Sequence, residues 1–250
     1  MCQPHELVAF CDQLLDASAF ADYCPNGLQA EGEREIALLV SGVTASAALI
    51  EAACDLDADA ILVHHGWFWK NEPPCLTGIK GRRARMLLKA GMSLIAYHLP
   101  LDAHPEVGNN ATLGRELGIL DAAPAPVGGG LLWTGRLAVA QAPEAVAAQV
   151  AERLGRVPLL VGEHARAVER VAWCSGGGQG HIELAADLGV DLFLSGEISE
   201  QTTHLARELG LSYLAAGHHA TERYGVQALG TRVAEHLGLR HQFIEIANPA

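Results

Sequence analysis

The stretch Asp59-Ala-Ile-Leu-Val-His-His-Gly-Trp-Phe-Trp69 ends an apolar run in two adjacent histidines, His64 and His65. Residues 60–63 are continuously apolar, which is the pattern of a strand covered on both faces in a parallel sheet. The histidines would then lie at the carboxyl end of that strand, where ligands bind in open α/β sheets. The pair indicates metal ligands, because neutral imidazole is the commonest metal ligand. The alternative is two polar residues that cap a loop.

Composition limits the classes of protein that the chain can represent. It has 250 residues, is 50% hydrophobic and carries a net charge of -12, so it can form one large domain or two small ones. The acidic balance argues against a nucleic-acid backbone as the main partner. The first residues lack the pattern of a signal peptide, and no run of eighteen apolar residues occurs, so we expect a cytoplasmic protein without membrane contact. The six cysteines form no C-x-x-C pair, which indicates neither a disulfide framework nor a structural zinc site.

The first half of the chain has the pattern of a β-α-β unit. Hydrophobic periodicity predicts helices over residues 6–20, 45–56 and 82–90 and strands over 36–40, 60–63 and 93–97. Ser41-Gly42 is predicted to break the first strand. The segment Asp22-Tyr-Cys-Pro-Asn-Gly-Leu-Gln29 is predicted to form a turn, and it is either a loop at the mouth of a site or a plain connector.

A second predicted strand also ends in polar residues. Residues 93–97 run into His98-Leu-Pro-Leu-Asp102-Ala-His104-Pro105, where the two prolines are predicted to keep the chain out of helix and Asp102 in a rigid loop. Asp102 is either a metal ligand or a cap of a helix or turn. His104 precedes a proline and is predicted to be structural.

The second half begins with a change in composition. Residues 121–130 are dense in proline and glycine and read as a linker. Beyond it we predict strands over 131–139 and 157–161, a helix over 143–154, a strand from Val171 and a helix over 181–188. Between the last two lies Ser175-Gly-Gly-Gly-Gln-Gly180, which either cradles an anion with its backbone N–H groups or is a plain turn. Its spacing matches neither the dinucleotide nor the P-loop fingerprint.

The two halves resemble each other. Ile50–Leu62 aligns without a gap with Ile182–Leu194 at an offset of 132 (182 minus 50), and Gly91–Ala96 aligns with Gly210–Ala215 at 119 (210 minus 91). We therefore predict an α/β fold in which a duplicated unit forms two related three-layer domains with the site between them. The predicted domains are 1–122 and 123–250, the second with an inserted segment 123–170, and terminal elements could be exchanged between them.

Strand ends in the second half also carry polar residues. A predicted strand over 191–194 ends in Ser195-Gly-Glu197, and one over 211–216 ends in Gly217-His-His-Ala-Thr-Glu222, ahead of an amphipathic helix predicted over 224–237. In a first helical turn, residues four apart lie about 5–6 Å apart at Cβ. His218 and Glu222 could therefore share one metal ion or bridge two.

Four segments together resemble a known family, and the similarity covers nearly the whole chain. They are His64-His65-Gly66, the segment from His98 to Asn110, Gly217 to Glu222, and Tyr23 to Gln29. They are similar to the dinuclear-metal-centre proteins called GTP cyclohydrolase I type 2 homologues. The resemblance implies two metal ions bound by His64, His65, Asp102, His218 and Glu222. It also implies a ring-shaped homohexamer whose sites face an internal cavity.

The implied donor set suggests a chemistry. Imidazole and carboxylate donors favour zinc, iron, manganese or nickel over calcium or magnesium. Paired divalent ions suit hydrolysis of a small anionic substrate, nucleotide-like or phosphate-bearing. His98 is the predicted proton-transfer residue, with Glu197 and His204 as further candidates.

Three functions stay open: a dinuclear metal hydrolase, a metal-binding regulatory or metal-handling protein, and a ring scaffold in which metal only joins the two halves of the chain. The aromatic insertion Trp67-Phe68-Trp69 is predicted to be a contact surface of the ring. The alternatives are a lid on its own subunit or a wall of the site.

Overall fold

The computed structural model describes residues 1–162 and 165–250. Contacts divide the chain into two compact units. The first contains Met1–Leu101 and Val226–Ala247, and the second contains Asp102–Gly225 and Asn248–Ala250. Each unit has a mixed sheet with helices packed against it, which confirms the predicted α/β class. The predicted boundary between residues 122 and 123 concerns the sequence repeats and stays a prediction.

The described helices and strands follow in chain order. Residues 1–103 form α1 (Pro4–Leu15), β1 (Gly27–Ala30), β2 (Leu38–Thr44), α2 (Ala47–Asp55), β3 (Ala60–His65), α3 (Gly78–Lys89), β4 (Ser93–Ala96) and α4 (Leu99–Ala103). The rest of the chain forms α5 (Asn109–Glu116), β5 (Leu120–Pro124), β6 (Trp133–Gln141), α6 (Pro143–Leu154), β7 (Leu159–Gly162), β8 (Val168–Cys174), α7 (Ile182–Asp187), β9 (Leu192–Ser195), α8 (Glu200–Glu208), β10 (Ser212–Ala215), α9 (His218–Leu237) and β11 (Arg240–Phe243). None of the helices within the described ranges has the length and apolar character required to cross a bilayer.

The sheet of the first unit has the strand order β1-β4-β3-β2-β11. The strands β4, β3, β2 and β11 pair in parallel, and β1 is antiparallel at one edge. Side chains of α2 and α3, among them Leu49 and Leu87, pack with the strand residues Ile61 and Val63 in one core. Because parallel strands end at one edge of a sheet, the residues that close β3 and follow β4 are brought together there.

The sheet of the second unit has the order β5-β6-β8-β9-β10-β7. Its strands β8, β9 and β10 are parallel, and β5, β6 and β7 pair antiparallel. The parallel triplet repeats the β2-β3-β4 pattern of the first unit. Its buried side chains include Trp173, Phe193 and Leu194. The glycine-rich loop follows β8, Glu197 follows β9, and His218 follows β10.

The predicted strand break at Ser41-Gly42 is wrong, because β2 continues to Thr44. Ser41 is fully buried, and its hydroxyl lies 2.7 Å from Nε2 of His241. A Cβ at Gly42 would lie 2.6 Å from a methyl group of Leu49. Glycine at this position therefore allows α2 to pack closely on the strand, and its role is not to end the strand.

Three further local predictions are corrected by the structure. Asp102 lies in the short helix α4 and not in an extended loop. Pro100 is in the first turn of that helix, where a missing N–H group breaks no intrahelical hydrogen bond. Residues 121–124 of the predicted linker belong to the edge strand β5. The first helix ends at Leu15 because Asp16 adopts a left-handed conformation with φ of 46°.

The aromatic insertion packs partly into the first unit. Trp67 is buried, its indole N–H donates to the carbonyl of Ala45 at 3.1 Å, and its backbone N–H donates to Oε1 of Gln29 at 2.6 Å. Nζ of Lys80 lies 5.4 Å from the ring centre of Phe68. Trp67 is therefore a core residue, and only the rest of the insertion can serve a surface role.

Candidate metal centre

His64 and His65 are the last two residues of β3. His64 is fully buried, and its Nδ1 lies 2.9 Å from the carbonyl oxygen of Tyr97. A carbonyl only accepts, so Nδ1 carries the proton and the lone pair of the ring lies on Nε2. Nδ1 of His65 lies 3.4 Å from the hydroxyl of Thr44. The two ring centres are 4.5 Å apart.

His98 joins this pair from the end of β4. Its ring centre lies 5.0 Å from that of His64 and 5.9 Å from that of His65. One ligand atom of each of the three imidazoles lies within 4.8 Å of the others. The first unit therefore contains a three-histidine cluster. Assigning His98 to proton transfer rather than to metal binding stays a prediction.

Asp22 orients His98, and no pattern in the sequence points to this role. Its Oδ1 lies 2.9 Å from Nδ1 of His98, and its carboxylate accepts backbone N–H groups of Tyr23 at 2.7 Å and Leu99 at 2.9 Å. Burial acts to raise the pKa of Asp22, but the hydrogen bonds from His98, Asn26 and Leu99 and the nearby His98 hold it well below its usual range. The carboxylate therefore stays ionised and fixes the His98 ring.

The segment Tyr23–Gln29 is part of the site and not a plain connector. Oδ1 of Asn26 accepts the backbone N–H of His98 at 2.7 Å, and the hydroxyl of Tyr23 lies 3.3 Å from Nε2 of His98. The segment, together with Asp22, therefore surrounds His98. The signal for it in the sequence is the Tyr23–Gln29 motif itself.

In the second unit, Asp102 is buried and accepts hydrogen bonds from an amide and a hydroxyl side chain. Its Oδ1 accepts from Nδ2 of Asn109 at 2.7 Å and from the hydroxyl of Ser175 at 3.4 Å. The side-chain amide of Asn110 donates to the backbone carbonyl of Asp102 at 3.2 Å. Asn109 and Asn110 thus position Asp102, a role that no local pattern in the sequence predicts. His104 accepts two backbone N–H groups through Nδ1, as its predicted structural role requires.

His218 and Glu222 lie four positions apart at the start of α9, which begins at His218 and not at Tyr224, the predicted first residue of that helix. Nε2 of His218 is 3.1 Å from Oε2 of Glu222, and Nδ1 is 2.8 Å from Oε1 of Glu197. Burial lowers the pKa of His218, but the carboxylates of Glu222 and Glu197 outweigh this effect and raise it to about 9. Carboxylate oxygens of Asp102 and Glu222 lie within 4.8 Å of each other. Asp102, His218 and Glu222 therefore form the candidate ligand group of the second unit.

The donors in these groups fit a transition-metal ion. The first unit supplies three imidazoles, and the second supplies one imidazole and two buried carboxylates, a mixture that suits zinc, iron, manganese or nickel. Metal-ligating histidines usually donate their other N–H group to a carboxylate or a carbonyl, and His64, His98 and His218 each have such a partner. His204 is exposed on α8 and belongs to neither group.

Fold and site together define an α/β protein with clustered His, Asp and Glu side chains that could hold a metal ion. The chain belongs to the Duf34/NIF3 (NGG1p interacting factor 3) family, whose model matches residues 2–249. A protein of Allochromatium vinosum called GTP cyclohydrolase 1 type 2 homolog is 68% identical over 250 residues, covering 100% of this chain and 98% of its own. One of the same name from Pseudomonas aeruginosa is 53% identical, covering 98% of this chain and 97% of its own.

Solved structures show the same fold. Protein ybgI, described as of unknown function, superposes with a TM-score of 0.94 at 48% identity and covers 99% of this chain and 100% of its own. TTHA1606 from Thermus thermophilus gives a TM-score of 0.86 at 35% identity, covering 99% of this chain and 100% of its own. The family resemblance and the two-domain duplicated fold predicted from the sequence are thereby confirmed.

Gly176 leaves room for the candidate ligand group of the second unit, and this generates a first prediction. A Cβ at residue 176 would overlap the Glu222 carboxylate and lie 3.0 Å from Nε2 of His218, and the residue has a φ of +58°. We expect Gly176→Ala to lower metal affinity about tenfold or more, because it displaces these donors. Calorimetric titration with zinc measures the effect.

Gly180→Ala is the matched control for Gly176→Ala. It changes another glycine of the same loop, where an added Cβ meets nothing within 4 Å. Circular dichroism confirms that both variants are folded. Wild-type zinc affinity in folded Gly176→Ala would contradict the assignment of His218 and Glu222 as ligands.

Proposed function

We propose that the protein is a metal-dependent hydrolase with a dinuclear centre. The observation that carries the proposal is the three-histidine cluster of His64, His65 and His98, whose ligand atoms lie within 4.8 Å of one another. An acceptor at Nδ1 of His64 and of His98 places the lone pair of each ring on Nε2, the arrangement usual for a histidine whose other nitrogen binds a metal. A catalytic metal ion needs a coordination position that the protein leaves open for water or substrate.

We propose His64, His65, Asp102, His218 and Glu222 as the ligands of the two ions. Glu222 is suited to be shared because its carboxylate has two oxygens and lies close both to His218 and to Asp102. Asp102 and Glu222 are buried carboxylates, and buried negative charges are costly unless a cation is near. A pair of divalent ions, which are zinc, iron, manganese or nickel in this proposal, would supply that charge.

When bound, paired divalent ions supply an activated water for hydrolysis and polarise the bond that the water attacks. The chain's own contribution is proton transfer at His98. Asp22 holds the proton on Nδ1 of that ring, so Nε2 is the nitrogen that accepts or releases a proton next to the Tyr23 hydroxyl. His98 thus acts as the general base or acid in this proposal.

The proposed substrate is small and anionic, with a planar ring such as that of a nucleotide. Aromatic side chains beside the histidine cluster favour a substrate with a planar ring. The ring centre of Trp69 lies 5.2 Å from that of His98 and 5.8 Å from that of Tyr23. Tyr23 is 50% exposed, so its outer face is open to stacking. The name that the relatives carry, GTP cyclohydrolase 1 type 2 homolog, is consistent with a guanine nucleotide as the first candidate.

The proposal predicts metal-dependent turnover that needs His98. We expect hydrolysis in a screen of nucleotides, phosphoesters and cyclic amides after loading with zinc, iron, manganese or nickel. His98→Ala should lower kcat by about 10²–10⁴ while metal content is retained, and His204→Ala is the control on an exposed histidine. Full metal loading without any turnover would favour the alternative, a non-catalytic metal-binding regulatory or scaffold protein.

A third prediction concerns metal content. Elemental analysis should give two ions per chain in the wild type, because the ligands suffice for two. Glu222→Gln should lose both ions together, since the ligand is shared, whereas His65→Ala should chiefly lose one. Glu235→Gln, an exposed acid on the same helix α9, is the control. One ion or none in the wild type excludes the dinuclear centre, and equal small losses in the two variants exclude Glu222 as a shared ligand.

We also propose self-association into a homohexameric ring, which the family resemblance implies. Light scattering should give a mass near six times the 26.4 kDa of one chain. Because Trp67 is a core residue, Trp69→Ala is the variant that tests the insertion as a contact surface. A monomeric wild type would contradict the proposed hexamer. An intact oligomer in Trp69→Ala would exclude Trp69 from the subunit contacts and leave it as a wall of the site.

A further inference from the structure

Glu197 lies outside the proposed ligand set, yet it contacts one of its members closely. Its Oε1 is 2.8 Å from Nδ1 of His218, while Nε2 of the same ring is the atom near Glu222. The two ring nitrogens point to different sides of the imidazole, so Glu197 and Glu222 contact different atoms. Glu197 therefore occupies the position that a carboxylate takes behind a metal-bound histidine.

The surrounding structure holds Glu197 in this position. Its backbone N–H donates to the carbonyl of Gly176 at 3.1 Å, and its own carbonyl accepts the hydroxyl of the buried Tyr213. Its second carboxylate oxygen accepts from Nε2 of Gln179 at 3.3 Å. Both the main chain and the side chain of Glu197 are thus fixed, although the side chain is 47% exposed.

The glycine-rich loop supports the same assignment. A Cβ at Gly177 would lie 3.7 Å from Oε2 of Glu197, and one at Gly176 would overlap Glu222. The loop therefore borders two carboxylates, which would repel a phosphate. This repulsion disfavours the alternative role of the loop as an anion cradle. Its Gln179 instead donates a hydrogen bond to the carboxylate of Glu197.

The internal duplication adds an independent observation. At the offset of 132, Glu197 corresponds to His65 (197 minus 132) at the end of the equivalent strand. His65 is a proposed ligand, so both repeats carry at this position a residue type that commonly binds metal ions. In the second repeat the residue has become the hydrogen-bond partner of a proposed ligand.

We infer that Glu197, itself hydrogen-bonded by Gln179, is the positioning residue of His218. It keeps the proton on Nδ1 and orients Nε2 towards the metal. This inference rests on the proposed metal centre. It takes the place of the proton-transfer role for which Glu197 is a candidate on sequence grounds. A carboxylate partner also increases the basicity of the ligating nitrogen, so its loss weakens metal binding without removing a ligand.

The test compares Glu197→Ala, Glu197→Gln and the control Glu200→Ala, which removes an exposed acid in the first turn of α8. Cobalt(II) is added to metal-free protein, and affinity is measured by competition with a chelator. Glu197→Ala should lower the affinity of one ion about 10- to 100-fold and change the visible absorption of bound cobalt. Glu197→Gln should be affected less, because its amide oxygen still accepts the Nδ1 proton. Glu200→Ala should match the wild type.

The outcomes separate this inference from the proposed function. If the wild type binds no cobalt, the metal centre itself fails and the inference fails with it. If the wild type binds and folded Glu197→Ala matches it in affinity and absorption, only the inference fails. Equal losses in Glu197→Ala and Glu197→Gln would also overturn it, because the acceptor oxygen would then be irrelevant.

Discussion

Parallel strand pairing is the constraint on which the site depends. In each unit three parallel strands, β2-β3-β4 and β8-β9-β10, end at one edge of a sheet. The residues that close or follow those strands are brought near one another although they are distant in sequence. His64 and His98 are 34 positions apart (98 minus 64), yet their ring centres lie 5.0 Å apart. The backbone therefore supplies the proximity, and the side chains supply the chemistry.

Orientation comes from a second set of residues. A histidine placed at a strand end still has two tautomers and a rotatable ring, so proximity alone does not make a ligand. Asp22 fixes His98, the carbonyl of Tyr97 fixes His64, and Glu197 contacts His218. Asp22 and Glu197 come from other parts of the chain than the rings they contact, and backbone hydrogen bonds anchor both of them. Such partners make the donors rigid.

The sequence predicted the parts of the site that depend on local pattern. Apolar runs ending in polar residues located His64, His98 and His218 correctly at strand ends. The partners were harder to find, because the contact of Asp22 with His98 spans 76 positions and leaves no periodic signal. Local rules also failed at two positions. Gly42 lies inside a strand, where Leu49 occupies the space that a side chain would need, and Pro100 lies in the first turn of a helix.

The duplication explains why the two units offer different donors. The shared strand arrangement gives both units the same positions, but the first fills them with imidazoles and the second with carboxylates around one imidazole. Asp102 and Glu222 are both buried and lie within 4.8 Å of each other, so their negative charges repel each other at short range. A proton on His218, whose pKa is raised to about 9, offsets only one of these charges. A divalent cation would offset the repulsion more fully than that proton, and neutral imidazoles could ligate it without adding negative charge. The two kinds of donor are therefore complementary in charge: carboxylates supply the negative charge that a divalent ion needs, and imidazoles add donor atoms without increasing that charge.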